Sequence, residues 1–394
     1  MNNPLAPNDT STAQRREHTT TENTSTTIYS QHLPRTTTQS TQHTPQTIRN
    51  RQNPSITPGQ RLQIAQTEWA KLFQTRPLNE IHNGHRPILL TQHNQKQNTP
   101  WGDKLQEKEN NTTRVYSLNL NGISLDRRGG QFEDLCKIAK EIQADVICCQ
   151  EHNVDTSKPV VRSILYDTMR HHWQRFRLHT GATAQEFTHW YKPGGTLMFS
   201  IDNITGRIVD QQKDSMGRWV SQTLKGQNSR QVTIISAYQP VTDSITSGLM
   251  TVAAQQRSLL IKSRDTVTEP RKPFKRDLRI LLQKLTDRGD KVLLVGDFNE
   301  STDEQFNGLS KIISDFHLVD LMRRQSIRPL PATYARGKQR LDYGFATRKV
   351  AEALKFAGYE AFNERFPTDH RPYFFDFDTR NCSEILTKRW SLHC

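Results

Sequence analysis

Asp297 and Asn299 flank Phe298 at the end of the apolar run VLLVGDFNES (292–301). Val and Leu closed by Gly is the pattern of a central strand in an α/β sheet, and such strands deliver ligand-binding groups at their carboxyl ends. Alternate residues of a strand face opposite ways. Phe298 is therefore expected to turn into the core while its neighbours reach a cleft. The same arrangement recurs along the chain: Asn119 and Asn121 follow RVYSLNL (114–120), Glu151 follows ADVICCQ (144–150), and Tyr238 closes the strand-like part of RQVTIISAYQP (230–240). Asp342 stands inside RLDYGFAT (340–347), and Asp369 and His370 precede PYFFDFD (372–378). Taken singly, each has an ordinary explanation. Asp297 and Asn299 fit a helix cap, Glu151 a loop carboxylate paired with a surface cation, and Asp369 with His370 a turn. Asp342 is harder to dismiss, because a carboxylate between Leu341 and Tyr343 needs a partner if buried. Gathered at one end of a sheet structure, the set supplies hard oxygen ligands, a base and an imidazole. That chemistry suits Mg2+, with Mn2+ as the alternative, and a phosphate ester.

The elements that must position these groups begin near Thr113. Strand patterns at 114–120, 144–150, 194–201, 230–240, 291–296, 340–347 and 372–378 alternate with helical patterns at 131–143, 249–264, 274–288 and about 303–315, and residues 206–224 read as a hairpin. In the first helix Phe132, Leu135, Ile138, Ala139 and Ile142 share one face. The strands outnumber those of a single doubly wound sheet. The expected fold class is α/β, a four-layer sandwich of two packed mixed sheets flanked by helices.

Composition restricts this fold to part of the chain. Hydrophobic residues make up 33% of the whole, and the deficit lies mainly in the first hundred residues, which are rich in Thr, Gln and Asn. Such a stretch cannot bury enough apolar area to offset chain entropy, so residues 1–105 are expected to be disordered. RLQIAQTEWAKLFQ (61–74) interrupts it with a helical pattern, read equally well as a partner-binding helix or as a transient one. Residues 379–394 form an expected C-terminal tail. Residues 1–100 hold 10 Lys/Arg and 5 Asp/Glu of totals of 54 and 40, which leaves 44 and 35, or +9, on the remainder. A basic folded region suggests a polyanionic partner, nucleic acid before membrane. Cys148 and Cys149 are adjacent inside an apolar run and are expected to pack rather than bond, and no CxxC pairs suggest zinc. The amino end lacks the apolar core of a signal peptide, and no run reaches the ~18 apolar residues of a membrane span. The expectation is an intracellular monomer with no membrane contact, the nucleus being one candidate compartment.

At this point the sequence resembles a known family. LNLNG, CQEHN, SAYQP, GDFNES and TDHRP occur in the order of the endonuclease/exonuclease/phosphatase superfamily, the exonuclease III and apurinic-site endonuclease fold, with RLDYGFAT between the last two. The resemblance covers about residues 113–378. It looks closest to endonuclease domains of non-long-terminal-repeat retrotransposons, which often show AYQ, GDFNE and TDHR in this setting. It implies a metal-dependent phosphodiester hydrolase in which Glu151 is the principal metal ligand, with Asn121 and Asp369 near the same ion. Asp297 would orient or deprotonate the attacking water, and Asn119 and Asn299 would hold that aspartate and the phosphate oxygens. Tyr238 would donate to the phosphate or steady the leaving group. His370, polarised by Asp342, would stabilise charge on the scissile phosphate.

The motifs fix the reaction better than the substrate. DNA is favoured because positive charge concentrates in RKPFKRDLR (271–279) and RRQSIRPLPATYARGKQR (323–340), the second lying just before Asp342, where rim loops meet a phosphate backbone. Solvated basic loops are the plainer reading. A phosphatase for a small or lipid phosphate is the alternative enzyme. The chain ends at TKRWSLHC with no reverse-transcriptase segment after it, which keeps a catalytically inactive retroelement remnant as a third reading.

Overall fold

Apolar alternation and turn-forming glycines divide the chain into short strands and amphipathic helices. The computed structural model describes residues 102–378, apart from 127–128, 186–190, 227–229, 243–250, 303–307 and 327–328. The Thr/Gln/Asn-rich region up to residue 101, its segment 61–74 and the tail 379–394 lie outside the described residues. In chain order the elements are β1 (Thr112–Asn119), α1 (Gln131–Glu141), β2 (Val146–Gln150), α2 (Pro159–His172), β3 (Phe176–Gly181), β4 (Thr196–Ile201), β5 (Ile208–Lys213), β6 (Trp219–Lys225) and β7 (Gln231–Tyr238). They continue with α3 (Val252–Lys262), α4 (Arg271–Asp287), β8 (Lys291–Asp297), α5 (Leu309–Asp315), β9 (Val319–Asp320), α6 (Leu321–Gln325), β10 (Asp342–Ala346), α7 (Arg348–Glu352), β11 (Leu354–Tyr359) and β12 (Tyr373–Asp378).

The strands form two six-stranded mixed sheets, ordered β11-β12-β1-β2-β4-β3 and β5-β6-β7-β8-β10-β9. Each has one parallel pair at its centre, β1 with β2 and β7 with β8, and antiparallel neighbours elsewhere. Between the sheets lies a core that includes Val115, Cys148, Met198, Val220, Leu293, Val295 and Phe375. The opposite face of the first sheet packs Tyr116, Leu118, Ile147 and Cys149 with α1 and α2 through Phe132, Leu135, Leu165 and Met169. The opposite face of the second packs Ile235, Leu294 and Phe345 with α4 and α5 through Phe274, Leu278, Leu282 and Ile312. The four layers expected from the strand count are present. Neighbouring residues divide between layers because a strand alternates its faces: Val295 and Cys148 point between the sheets, Leu294 and Cys149 away from them.

Several elements are additional to the sequence reading: α2, β3, β9, α6, α7 and β11. The helix expected near 303–315 runs from Leu309 in the described residues. Residues 102–105, counted with the amino-terminal region from composition, lie against the folded part. The Asp103 N–H donates to Tyr359 O at 2.7 Å, and the Tyr359 N–H donates to the Asp103 carboxylate at 3.0 Å.

Candidate active site

The topology brings the polar clusters to one edge. β1, β2, β7 and β8 are the four central strands, and Asn119, Glu151, Tyr238 and Asp297 stand at or just beyond their carboxyl ends. β10 and β12 run antiparallel to this set, so they contribute from their amino ends. Asp342 opens β10 directly opposite Asp297, and His370 precedes β12. Gly296 permits the close packing of β7 on β8, since a Cβ there would overlap the Ala237 carbonyl oxygen.

Local backbone turns then aim the side chains. Asn121, Glu151 and Asn299 all adopt left-handed φ values, 47°, 51° and 46°, a conformation that asparagine tolerates and glutamate pays for in strain. Surrounding hydrogen bonds hold it: Gly122 N–H to Glu151 O at 2.7 Å, Glu151 N–H to Gly195 O at 2.9 Å, and Asn299 N–H to Asp297 Oδ1 at 2.9 Å. Phe298 is fully buried, with the rings of Phe345, Tyr343 and Phe274 at 5.8, 6.2 and 6.5 Å. It turns inward as the alternation requires.

At the centre lies Asn119, fully buried. Its Nδ2 donates to Glu151 Oε1 at 2.7 Å and to Asp297 Oδ2 at 2.8 Å, while its Oδ1 accepts from Asn121 N–H at 2.8 Å. One amide therefore ties the ends of β1, β2 and β8 together. Asn299 Nδ2 donates to Gln239 O at 2.8 Å and to Asp297 Oδ2 at 3.3 Å. The Tyr238 hydroxyl hydrogen-bonds Glu151, and burial together with the charges of Glu151 and Asp297 keeps its proton in place. Tyr238 is thus a donor at any working pH.

His370 Nδ1 lies 2.9 Å from Asp342 Oδ2, and its Nε2 faces Asp297 Oδ2 at 3.9 Å. Burial alone would lower the imidazole's pKa, but Asp342 and then Asp297 outweigh it, and the value is pushed up to about 10. The ring is an imidazolium at neutral pH. Burial, with Asp342 and Glu151 adding negative charge, pushes Asp297 up to about 8 despite His370 and the Asn299 N–H. Two carboxylates share one buried imidazolium, so the last proton is released late.

Asp297, Asp342 and His370 offer ligand atoms within 4.8 Å of one another. They are better described as a proton-sharing chain than as an ion cage, because the Asp342 oxygen and the imidazole nitrogen are already at hydrogen-bond distance. Glu151 provides a different environment. Burial raises its pKa against the hydrogen bonds of Asn119 and Tyr238, and Asp369 adds its charge. Among the described residues no Lys or Arg pairs with it. Arg336 reaches the Asp369 carboxylate only at 4.0 Å. Four carboxylates, Glu151, Asp297, Asp342 and Asp369, thus face one imidazolium and one exposed guanidinium, an imbalance and a hard-oxygen donor set that fit a divalent cation.

All nine residues singled out from sequence lie in this region, with Asn121 on its exposed rim. Others were not singled out. Thr368 Oγ1 donates to Asn119 O at 2.6 Å and accepts from His370 N–H at 3.3 Å. Thr333 Oγ1 accepts from the N–H groups of Leu341 and Asp342 at 2.8 and 3.1 Å. The Tyr334 ring sits 5.1 Å from that of His370. Thr368 was within reach, since it stands in the TDHRP motif, whereas Tyr334 carries no local signal.

The basic stretches divide. RKPFKRDLR forms the amino half of α4, which begins three residues before the helical pattern read at 274–288, and its cations pair with acids: Arg271 and Lys275 with Glu300, Lys272 with Glu269, Arg276 with Asp265 and Asp277, Arg279 with Asp315. This corrects the expectation that the stretch is a free basic patch. In the second stretch Arg340 is buried against Asp320 and the Tyr343 ring, while Arg323, Arg324, Arg336 and Lys338 are exposed. Among the described residues no helix is long and apolar enough to cross a membrane.

Similar folds occur in solved structures. An AP endonuclease from Leishmania major matches at 14% identity over 68% of this chain and 88% of its own, with a TM-score of 0.49. A 3′ phosphatase from Neisseria, solved with a product DNA hairpin, matches at 17% over 68% and 99%, with a TM-score of 0.46. An AP endonuclease from Archaeoglobus fulgidus matches at 18% over 68% and 99%, with a TM-score of 0.43. Comparison with curated proteins gives no match. The sequence profile of the Endonuclease/Exonuclease/phosphatase family, whose members hydrolyse phosphoester bonds and generally use a divalent metal, matches residues 116–370, and the chain belongs to that family.

Proposed function

We propose that the protein is a Mg2+-dependent DNA endonuclease of the kind found as nicking domains in retrotransposons. The observation that carries the reading is the joining of Asn119, Glu151, Asp297 and the His370–Asp342 pair into one connected site. Glu151, Asn121 and Asp369 would hold the cation, which when bound neutralises charge on the scissile phosphate. Asp297 takes the proton of the attacking water, and its raised pKa suits a base working near neutrality. Asn119 and Asn299 fix the carboxylate's orientation through their amide donors. His370 presents its Nε2 proton towards the same space, with Asp342 fixing the tautomer at Nδ1 and stabilising the imidazolium. Tyr238 keeps a proton available for a phosphate oxygen or the departing alkoxide.

DNA is favoured as substrate by the exposed cations of residues 323–338, of which Arg336 stands beside Asp369. The internal pairing of the α4 cations favours the second reading, a phosphatase for a small or lipid phosphate, because it offsets the charge of one of the two basic stretches. Relaxation of supercoiled plasmid by the purified chain tests the first reading, with Mg2+, with EDTA and with Glu151→Ala. Relaxation that requires both metal and Glu151 is the expected result. A folded protein that leaves plasmid intact but hydrolyses a phosphomonoester would transfer the assignment to the second.

A further inference from the structure

Glu300 directly follows Asn299 and does not face the cleft chemistry, yet it gathers more donors than any catalytic candidate. Its carboxylate accepts from Lys275 Nζ at 2.6 Å, Leu309 N–H at 2.7 Å, Arg271 Nη2 at 2.8 Å and Gln239 Nε2 at 3.1 Å. Those bonds outweigh burial and hold its pKa down to about 2. The opposing Gly308 leaves it room, since a Cβ there would overlap the carboxylate.

Two of these four donors reach past Glu300 to the turn before it. Arg271 Nη2 also donates to Asn299 O at 3.0 Å, and Gln239 Nε2 to Phe298 O at 2.5 Å. Gln239 N–H donates to Asp297 O at 2.9 Å, and Phe298 N–H to Leu341 O at 2.9 Å. With Asn299 N–H bound to Asp297 Oδ1, every backbone polar group from Asp297 O to Asn299 O is engaged. Such complete engagement holds a left-handed Asn299 and the Asp297 carboxyl in one orientation.

We propose that Glu300 is a positioning residue for the Asp297–Asn299 turn, acting through Arg271 and Gln239 while Lys275 helps to anchor its carboxylate, so that the basic amino end of α4 serves the geometry of the site and not a polyanion. The catalytic part of this inference rests on the phosphodiesterase reading above; the structural part does not. A displacement of about 1 Å at a reacting group costs on the order of 100-fold in rate, so loosening the turn is expected to act on kcat.

The test uses the full chain and the variants Arg271→Gln, Glu300→Gln and Arg276→Gln. Arg276 lies on the same helix and among the described residues forms ion pairs with Asp265 and Asp277, so Arg276→Gln removes an equal charge without touching the turn. Amide hydrogen exchange at Phe298 and Asn299 is read first, without substrate or metal. Exchange at least ~10-fold faster in Arg271→Gln and Glu300→Gln, and unchanged in Arg276→Gln, is expected. On a duplex oligonucleotide, kcat is expected to fall about 10- to 100-fold in the first two, while KM and the dependence of binding on salt stay as in the wild type. Unchanged exchange in Arg271→Gln overturns the proposal. So does retained kcat with a raised KM and a salt slope reduced by about one in both arginine variants, which makes α4 a phosphate contact. If Glu300→Gln does not fold, Arg271→Gln alone decides. If the wild type hydrolyses no phosphodiester, the functional reading fails and the exchange result decides the positioning role by itself.

Discussion

Replacing Asp342 by Asn separates charge from shape at the His370 pair. The Asn amide oxygen can accept from the imidazole Nδ1–H in place of Oδ2, at the 2.9 Å now observed. Its amide nitrogen then occupies the place of Oδ1, which has no hydrogen-bond partner among the described residues. Ring orientation is preserved and one negative charge is lost. His370 is raised from 6.5 to about 10 against the pull of burial, with Asp342 the largest favourable cause. A rise of that size corresponds to about 5 kcal/mol, the net of Asp342, Asp297 and Glu151 acting against burial. Without Asp342, burial dominates, and Asp297, which Asp342 also holds up, shifts down with it. The alkaline limb of the pH–rate profile, expected near 10 in the wild type, should move down by at least ~2 units, and turnover at neutral pH should fall about 100-fold or more. Stability gives a second measure with a definite sign. The folded-state pKa of His370 lies above its unfolded value, so its stabilisation is full below about 6.5 and is lost as pH rises through about 10. Urea unfolding of the wild type should therefore weaken across that window, and Asp342→Asn should flatten the slope. An unaltered pH–rate profile with turnover within ~3-fold of the wild type would refute the reasoning, since the pair would then have no electrostatic role.

Asp297→Ala and His370→Ala are each expected to lower phosphodiester turnover by at least ~100-fold while the protein stays folded, measured at saturating substrate. Glu151→Gln should weaken divalent-metal binding at least ~10-fold in a calorimetric titration and leave turnover as low as that of the EDTA-treated wild type. Arg114, buried and bound to Asp376 at 2.6 and 2.7 Å, tests stability away from the site. Arg114→Leu should cost about 3–5 kcal/mol in urea unfolding, because it strands a buried carboxylate, and pairing it with Asp376→Leu should recover much of the loss. Deletion of residues 1–100 should leave the cooperative melt intact and turnover within ~2-fold, as expected of a region whose composition cannot form a core.

The central strands were legible because they are buried on both faces and read as unbroken apolar runs, and those strands carry Asn119, Glu151, Tyr238 and Asp297. Of the edge strands, β5 was read within the hairpin at 206–224, but β3, β9 and β11 were not. β3 alternates weakly, with Leu178 its only deeply buried large apolar side chain, and β11 is half-buried over its first three residues. Helix α2 did carry signals, with Pro159 at its first turn and Val161, Leu165 and Met169 four apart on its buried face. The misjudged feature was the charge of α4. Sequence shows five cations in nine residues, but their acid partners, Glu300, Asp265 and Asp315, lie from 11 to 36 positions away for Arg271, Lys275, Arg276 and Arg279, and only the fold brings them together. Asp342 was recognisable because an isolated carboxylate in an apolar strand must have a partner. That this partner is His370, 28 residues on, follows from the antiparallel pairing of β10 and β12 with the central strands.

Cys148 and Cys149 send consecutive side chains into separate compartments, one between the sheets and the other beneath the helices. Burial pushes both thiols up, so neither reacts while its compartment is closed. A thiol-specific reagent therefore acts as a gauge of which layer opens. Labelling at 148 times the parting of the two sheets, and labelling at 149 times the lifting of α1 and α2. Comparing the two rates would show whether the sandwich breaks open at its middle or sheds its outer helices first.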